Sequence, residues 1–218
     1  LPRGVIGAVI PWNFPTLNAA LKIAPALATG NCMVVKPSEC SSQSALRMAQ
    51  LAITAGVPPG VLNIIPGRGN LVGKALALHA DVDMITFTGS TAVGKLMLQY
   101  SGQSNMKLVH AECGGKSPQI VFADFENLDT VADHVAQSLL LNQGQVCSAG
   151  TRLLVQKAIE KPLIEKMVER FRNIVVGDPL DPNTTYGPLV NRQQMEKILT
   201  YIEDGKKEGA NLVIGGKR

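Results

Sequence analysis

Met33-Val34-Val35-Lys36, then Ala45, Met48, Ala49 and Ala52 after Ser41-Ser42, then Val61-Leu62-Asn63-Ile64-Ile65, read in that order as strand, helix and strand. The first and last runs are short and apolar. The middle one repeats its apolar positions at helical spacing and closes on Gly56 and Pro58. The same rhythm extends both ways: Val5 to Ile10 and Met84 to Thr88 are expected as strands, and Leu71 to His79 and Thr91 to Tyr100 as helices. Strands that alternate with helices predict crossover units, hence an α/β fold with an open, twisted, mostly parallel sheet of Rossmann-like kind.

Beyond Gly114-Gly115 the texture changes. A strand is expected at Gln119 to Ala123, then a helix whose Leu128, Val131, Ala132, Val135 and Leu139 share one face, then a strand at Arg152 to Gln156. Pro162 suits the first turn of another helix, with Leu163, Met167 and Phe171 on its buried side. A last helix is bracketed by Asn191 as N-cap and Gly209 past its end, with Met195, Ile198, Leu199 and Ile202 facing inward, and Leu212 to Ile214 reads as a final strand. With the glycine pair as a hinge, the chain is expected to hold a partial cofactor domain, 1–112, and part of a second α/β domain, 113–218.

With 218 residues and 45% hydrophobic content the chain can bury a sizeable core. Its net charge of +4 comes from 21 basic and 17 acidic residues without a clustered basic stripe, so nucleic acid is not an expected partner. Cys32, Cys40, Cys113 and Cys147 show neither CxxC pairs nor a Cys/His ligand pattern. No disulfide framework or metal site is therefore expected, and a reducing, cytoplasmic compartment fits. No secretory leader is evident and no run approaches the roughly 18 apolar residues of a membrane span, so no membrane contact is expected. An opening at Leu1 and an end at Gly215-Gly216-Lys217-Arg218 read as an internal excerpt of a longer protein.

Asn142-Gln143-Gly144-Gln145-Val146-Cys147 presents one thiol on a glycine turn after an apolar helix. By spacing alone, a lone cysteine there reads as a small buried hydrophobe before it reads as a nucleophile. Its company shifts the balance. Asn13 in Pro11-Trp12-Asn13-Phe14-Pro15, Glu112 in Glu112-Cys113-Gly114-Gly115-Lys116-Ser117-Pro118, the turn Phe87-Thr88-Gly89-Ser90-Thr91, and Lys36-Pro37-Ser38-Glu39 add an amide donor, a carboxylate, an anion-binding helix start and a charged pair. In order, spacing and wording these segments resemble the aldehyde dehydrogenase superfamily over essentially the whole chain. Finer wording, in Ser104-Asn105-Met106-Lys107 and Gly144 to Leu154, is similar to the branch oxidising γ-glutamyl-γ-aminobutyraldehyde-type aminoaldehydes.

Gly67-Arg68-Gly69-Asn70-Leu71-Val72-Gly73-Lys74-Ala75 fails two phosphate motifs. Arg68 occupies the first glycine of a Walker loop and Ala75 replaces its magnesium-holding hydroxyl, while Val72 stands at the third glycine of G-x-G-x-x-G. The G-x-G-x-x-x-G spacing does match the resemblance. Gly89-Ser90 is the better anion site, because a helix start offers backbone amides and a favourable dipole. Lys36 and Glu39 follow a strand where a ribose would sit; a carboxylate there accepts from ribose hydroxyls and repels a 2′-phosphate, favouring NAD, with NADP as the alternative. The resemblance adds cofactor contacts at Pro11, Trp12, Gly69 and Gly114, puts Ser90 on the pyrophosphate and packs Val93 against the adenine.

The resemblance further implies that Cys147 attacks an aldehyde, that the thiohemiacetal gives its hydride to nicotinamide, and that the thioester is hydrolysed to a carboxylic acid. It assigns Asn13 and the Cys147 backbone N–H to the oxyanion, and Glu112 to the hydrolytic water. Taken singly, Asn13 reads as a helix cap before Pro15, and Glu112 as a salt-bridged strand end. Cys113 replaces the family's usual leucine. Cys147 follows the C-terminal end of its helix, where the dipole opposes a thiolate, so activation is expected from the nicotinamide and from Glu112 through water. His79, His110 and His134 offer no Cys-His pair. Two further functions suit the bare residues, a cofactor-independent thiol esterase and a non-catalytic dinucleotide-binding fragment. The resemblance also implies a homodimer or homotetramer, and an excerpt that is inactive or nearly so by itself.

Overall fold

The computed structural model describes residues 1–218. Strand β1 (Val5–Val9) is apolar on both sides: Ile6 and Ala8 face one core cluster, Val5 and Val9 another. Around it stand β2 (Cys32–Lys36), β3 (Leu62–Ile64), β4 (Met84–Gly89) and β5 (Leu108–Cys113), all parallel, in the order β3-β2-β1-β4-β5. From β1 the chain builds outward to β3, then returns and builds the opposite way from β4. Val9 stands opposite both Lys36 and Phe87, and Thr88 opposite Glu112.

Helices α1 (Pro15–Ala28) and α2 (Gln43–Thr54) cover one face, where Ala19, Ile23 and Ala26 pack with Ile6, Ala8, Met33 and Val35. The other face takes α3 (Lys74–Leu78) and α4 (Thr91–Gly102), with Leu76, Ala77 and Met97 against Val9, Ile85 and Phe87. Met33 and Ile85 are fully buried, each stabilising the fold by about 1.5–3 kcal/mol. Gly7 permits the close approach of α3, since a Cβ there would meet Ile85 Cδ1 at 2.7 Å and Leu76 Cγ at 3.1 Å. The helix expected over Leu71 to His79 is a π-helical turn (Gly69–Gly73) leading into α3. Its first amide, Gly69 N–H, bonds outward to the Glu39 carboxylate instead of inward.

The chain divides into two compact units, Leu1–Gly114 and Gly115–Arg218. In the second, β6 (Pro118–Val121) pairs in parallel with β7 (Arg152–Val155). Helices α5 (Leu128–Leu140) and α6 (Glu160–Arg172) pack through Ala132, Val135, Leu163 and Met167, joined by Val121, Leu153 and Val155. Asn127 caps α5, accepting from the amides of Asp129 and Thr130 at 3.1 Å. Arg170 ties α6 to α5 through Asp129 and Asp133, at 3.0 and 2.7 Å.

Helix α7 (Arg192–Lys207) starts at Asn191, whose Oδ1 accepts from Gln194 N at 2.9 Å. Two expectations are corrected here, the first only in part. Met195, Leu199 and Ile202 are half-buried as expected, but Ile198 is exposed and no residue of α7 is fully buried. Leu212 to Ile214 forms no strand: no other strand pairs with it, and Leu212 lies with Ile202 of α7 beside Gly216. No helix is long and apolar enough to cross a membrane.

Candidate active site

In a parallel sheet of this order the crevice opens at the carboxyl ends of the strands where the winding reverses, between β1 and β4. The loop after β1 carries Pro11, Trp12 and Asn13, all half-buried. The cap position of α1 falls on Phe14, which makes no side-chain cap hydrogen bond, so Asn13 is not the helix cap. Across the reversal β4 ends at Gly89, and Ser90 caps α4, its Oγ accepting from Val93 N at 3.3 Å. Val93 packs partly buried on the cluster around Phe87.

Glu112 lies near the end of β5, exposed. Behind it, Lys22 of α1 donates from Nζ to Thr86 Oγ1 at 2.9 Å. Burial pulls the Lys22 pKa below its usual 10.5, and the Glu112 charge partly opposes this. No motif singles out Lys22, although the sequence holds a signal: it is the only charged residue between Arg3 and Lys36. Cys113 turns the other way, as strand alternation requires. Its Sγ joins the core beside Phe87, so close to α4 that a Cβ on Gly94 would meet it at 2.9 Å. Gly114 follows in the loop after β5.

At the end of β2 the Lys36–Glu39 pair meets Gly69, which lies 30 residues further along the chain than Glu39. Lys36, its side chain only 4% exposed, pairs with Glu39 Oε2 at 3.0 Å, and Glu39 Oε1 accepts from Gly69 N at 2.7 Å. Burial alone would raise the Glu39 pKa. The hydrogen bonds from its own backbone, Lys36 and Gly69, with the Lys36 charge, outweigh it and hold the carboxyl below the usual range.

In the second unit α5 ends in a 3-10 turn, Leu141–Gly144, before Cys147. Cys147 is half-buried and its carbonyl accepts from Gly115 N at 3.0 Å. Thus Lys36, Glu39 and Gly69 are in contact, Ser90 and Val93 share a cap, Asn13 follows β1 on one side of β4, and Glu112 lies on β5 on the other. Cys147 belongs to the other unit. His134 is tied to its own helix, with Nδ1 2.8 Å from the Thr130 carbonyl. No group of three or more His, Cys, Asp or Glu residues is arranged to hold a metal ion.

The model of the "Aldehyde dehydrogenase family" matches residues 1–218. Retinal dehydrogenase 2 of Gallus gallus is 50% identical over 216 residues, covering 99% of this chain and 42% of that protein. Among solved structures, the gamma-glutamyl-gamma-aminobutyraldehyde dehydrogenase from Burkholderia cenocepacia J2315 gives a TM-score of 0.95 at 54% identity, covering 100% of this chain and 44% of that one. An indole-3-acetaldehyde dehydrogenase complexed with NAD+ gives 0.96 at 53% identity, with 99% and 44% covered. The chain therefore spans less than half the length of these relatives.

Proposed function

Because the chain belongs to the aldehyde dehydrogenase family, we propose that it supplies the NAD-binding half and the start of the catalytic half of an enzyme that oxidises an aldehyde to a carboxylic acid. The observation that carries this reading is the sequence of groups along one edge of the five-stranded sheet: the Asn13 loop after β1, the Gly89-Ser90 turn after β4, and Glu112 on β5.

The residues suit NAD. Glu39, braced by Lys36 and Gly69, offers a fixed acceptor to ribose hydroxyls and a negative charge that a 2′-phosphate would have to approach. Ser90 and the start of α4 suit a pyrophosphate, with Pro11, Trp12, Val93 and Gly114 as further contacts. When bound, NAD supplies the hydride acceptor.

In the chemical steps Cys147 Sγ adds to the aldehyde carbon, and the carbonyl π pair moves to oxygen, where the Asn13 amide and the Cys147 backbone N–H donate. After loss of hydride the acyl group remains on sulfur as a thioester. Glu112 then takes a proton from water, which attacks the acyl carbon and expels the thiolate. A base at this position favours water over another thiol as acyl acceptor. Leu17 and Leu21 lie four residues apart on one face of α1 and are exposed, an apolar strip suited to the carbon chain of the substrate. Within the aldehydes we place γ-glutamyl-γ-aminobutyraldehyde-type compounds first, and a cytoplasmic homodimer or homotetramer as the assembly.

The test uses the intact protein and an aldehyde panel followed by NADH formation. Cys147→Ser is expected to abolish turnover, Asn13→Ala to slow it by about 10²–10³-fold, and Glu112→Gln by about 10²–10⁴-fold. Mass spectrometry of Glu112→Gln should show the acyl group retained on Cys147. Aldehyde oxidation persisting in Cys147→Ser would overturn the proposal; ester hydrolysis without NADH from any aldehyde would assign a thiol esterase instead.

A further inference from the structure

The turn that leads to Cys147 is strained. Asn142, Gln143 and Gly144 are consecutive left-handed residues, with φ of 49°, 58° and 70°. Glycine adopts that conformation freely; asparagine tolerates it, and glutamine less well. Something must hold the turn, and Gln145 is placed to do so. Its Nε2 donates to the Asn142 carbonyl at 3.2 Å, while its Oε1 accepts from Val190 N at 3.0 Å. The Gln145 backbone N–H meets the same Asn142 carbonyl at 3.0 Å, and Asn142 Nδ2 returns to the Gln145 carbonyl at 3.3 Å. Val190 directly precedes Asn191, the cap of α7.

We infer that Gln145 is a positioning residue for Cys147: its carboxamide clamps the left-handed turn to the start of α7 and so fixes where the thiol is presented. The inference rests on Cys147 being the nucleophile. It requires no contact between Gln145 and substrate. A side chain that donates to one segment and accepts from another is needed, because both joined groups are main-chain, one a carbonyl and the other an N–H. An aliphatic residue of similar size satisfies neither.

The experiment compares Gln145→Leu, Gln145→Glu and the double variant Gln145→Leu/Gln143→Gly in the intact protein. Displacement of a nucleophile by about 1 Å costs on the order of a hundredfold in rate, so kcat of Gln145→Leu is expected to fall by about that factor. The KM for NAD should stay constant, because the cofactor residues belong to the other unit. The alkylation rate of Cys147 by iodoacetamide should fall across the pH range without a shift of midpoint, since position and not acidity has changed. Gln143→Gly removes a left-handed penalty, so the double variant should regain most of the lost kcat. Gln145→Glu keeps the acceptor for Val190 N–H but sets a carboxylate oxygen against the Asn142 carbonyl, so its kcat should fall as well.

A folded Gln145→Leu with wild-type kcat, or a double variant no better than the single one, would overturn the inference. If Gln145→Leu does not fold, Gln145→Glu with and without Gln143→Gly decides by the same comparison. Cys147→Ser separates the two levels: activity surviving in it sinks the nucleophile, whereas its loss beside an unaffected Gln145→Leu sinks only the clamp.

Discussion

Lys22 on α1 donates to Thr86 on β4 at 2.9 Å, and in that position its ammonium is acted on by the Glu112 carboxylate. Burial is the larger influence and lowers the Lys22 pKa, while Glu112 raises it. The folded chain therefore releases this proton more readily than the unfolded chain, and the Lys22 contribution to stability rises with pH between its folded pKa and 10.5. Glu112→Gln removes the one opposing charge, so Lys22 should titrate lower still. Side-chain NMR of Lys22 across an alkaline pH series measures this; an unchanged or higher midpoint in the variant would show that the two groups do not interact.

At Glu39 the dependence belongs to the acid range. Its carboxyl is held below the ordinary value of 4.5, so its stabilising contribution is complete above that value and is lost as pH falls through the folded pKa. The Gly69 amide, bonded to Glu39 at 2.7 Å, is the local reporter. Its proton resonance should move upfield on acidification with a midpoint under 4.5. In Glu39→Gln the resonance should be displaced already and indifferent to pH over that range. A Gly69 amide that ignores acid in the wild-type protein contradicts the bond.

What the sequence makes legible follows from which signals are local. Strands β1, β2, β3 and β4 stand out because each is a short apolar run bounded by turn residues, and α2 because its apolar positions recur at helical spacing. Helix α1 is harder to see. It contains Pro25, lacks a side-chain cap and an acidic first turn, and its sole charge is Lys22, which the fold half-buries. At the site, Glu39 and Ser90 are recognisable from their places after strands, but the Glu39–Gly69 bond exists because adjacent β2 and β3 carry their following loops together. The bond from Gln145 to Val190 crosses 45 residues of sequence and has no local signal at all. Leu212 to Ile214 misleads for the opposite reason: a run of apolar residues is local, whereas a strand needs a partner.

Asn127 tests the second unit by itself. Its side chain satisfies two first-turn amides of α5, the helix that leads into the Cys147 turn. Asn127→Ala should cost about 0.5–2 kcal/mol, read as a lower guanidinium midpoint for the transition of this unit. Asn127→Asp should recover most of the loss, since a carboxylate accepts from the same amides and suits the helix N-terminus. Equal midpoints for Asn127→Ala and wild type would mean that water replaces the cap without cost.

Gly94 and Cys113 offer a sharper test of packing behind Glu112. In an exposed helix Gly→Ala would stabilise by about 1 kcal/mol. Here the new methyl would lie 2.9 Å from Cys113 Sγ and 3.5 Å from the Phe87 ring, and such overpacking costs about 1–3 kcal/mol. Gly94→Ala should thus be neutral to destabilising. Cys113→Ala alone leaves a small void in the same place. Together, the methyl introduced at position 94 enters the space vacated by sulfur, so the double variant should exceed the sum of the single ones by about 1–2 kcal/mol in a denaturation cycle. Because Cys113 adjoins Glu112 on β5, a sulfur pushed by the new methyl also tilts the strand that carries the base. Thioester hydrolysis should slow in Gly94→Ala and recover in the double variant; strict additivity in both stability and rate would mean that the sulfur has room to move aside.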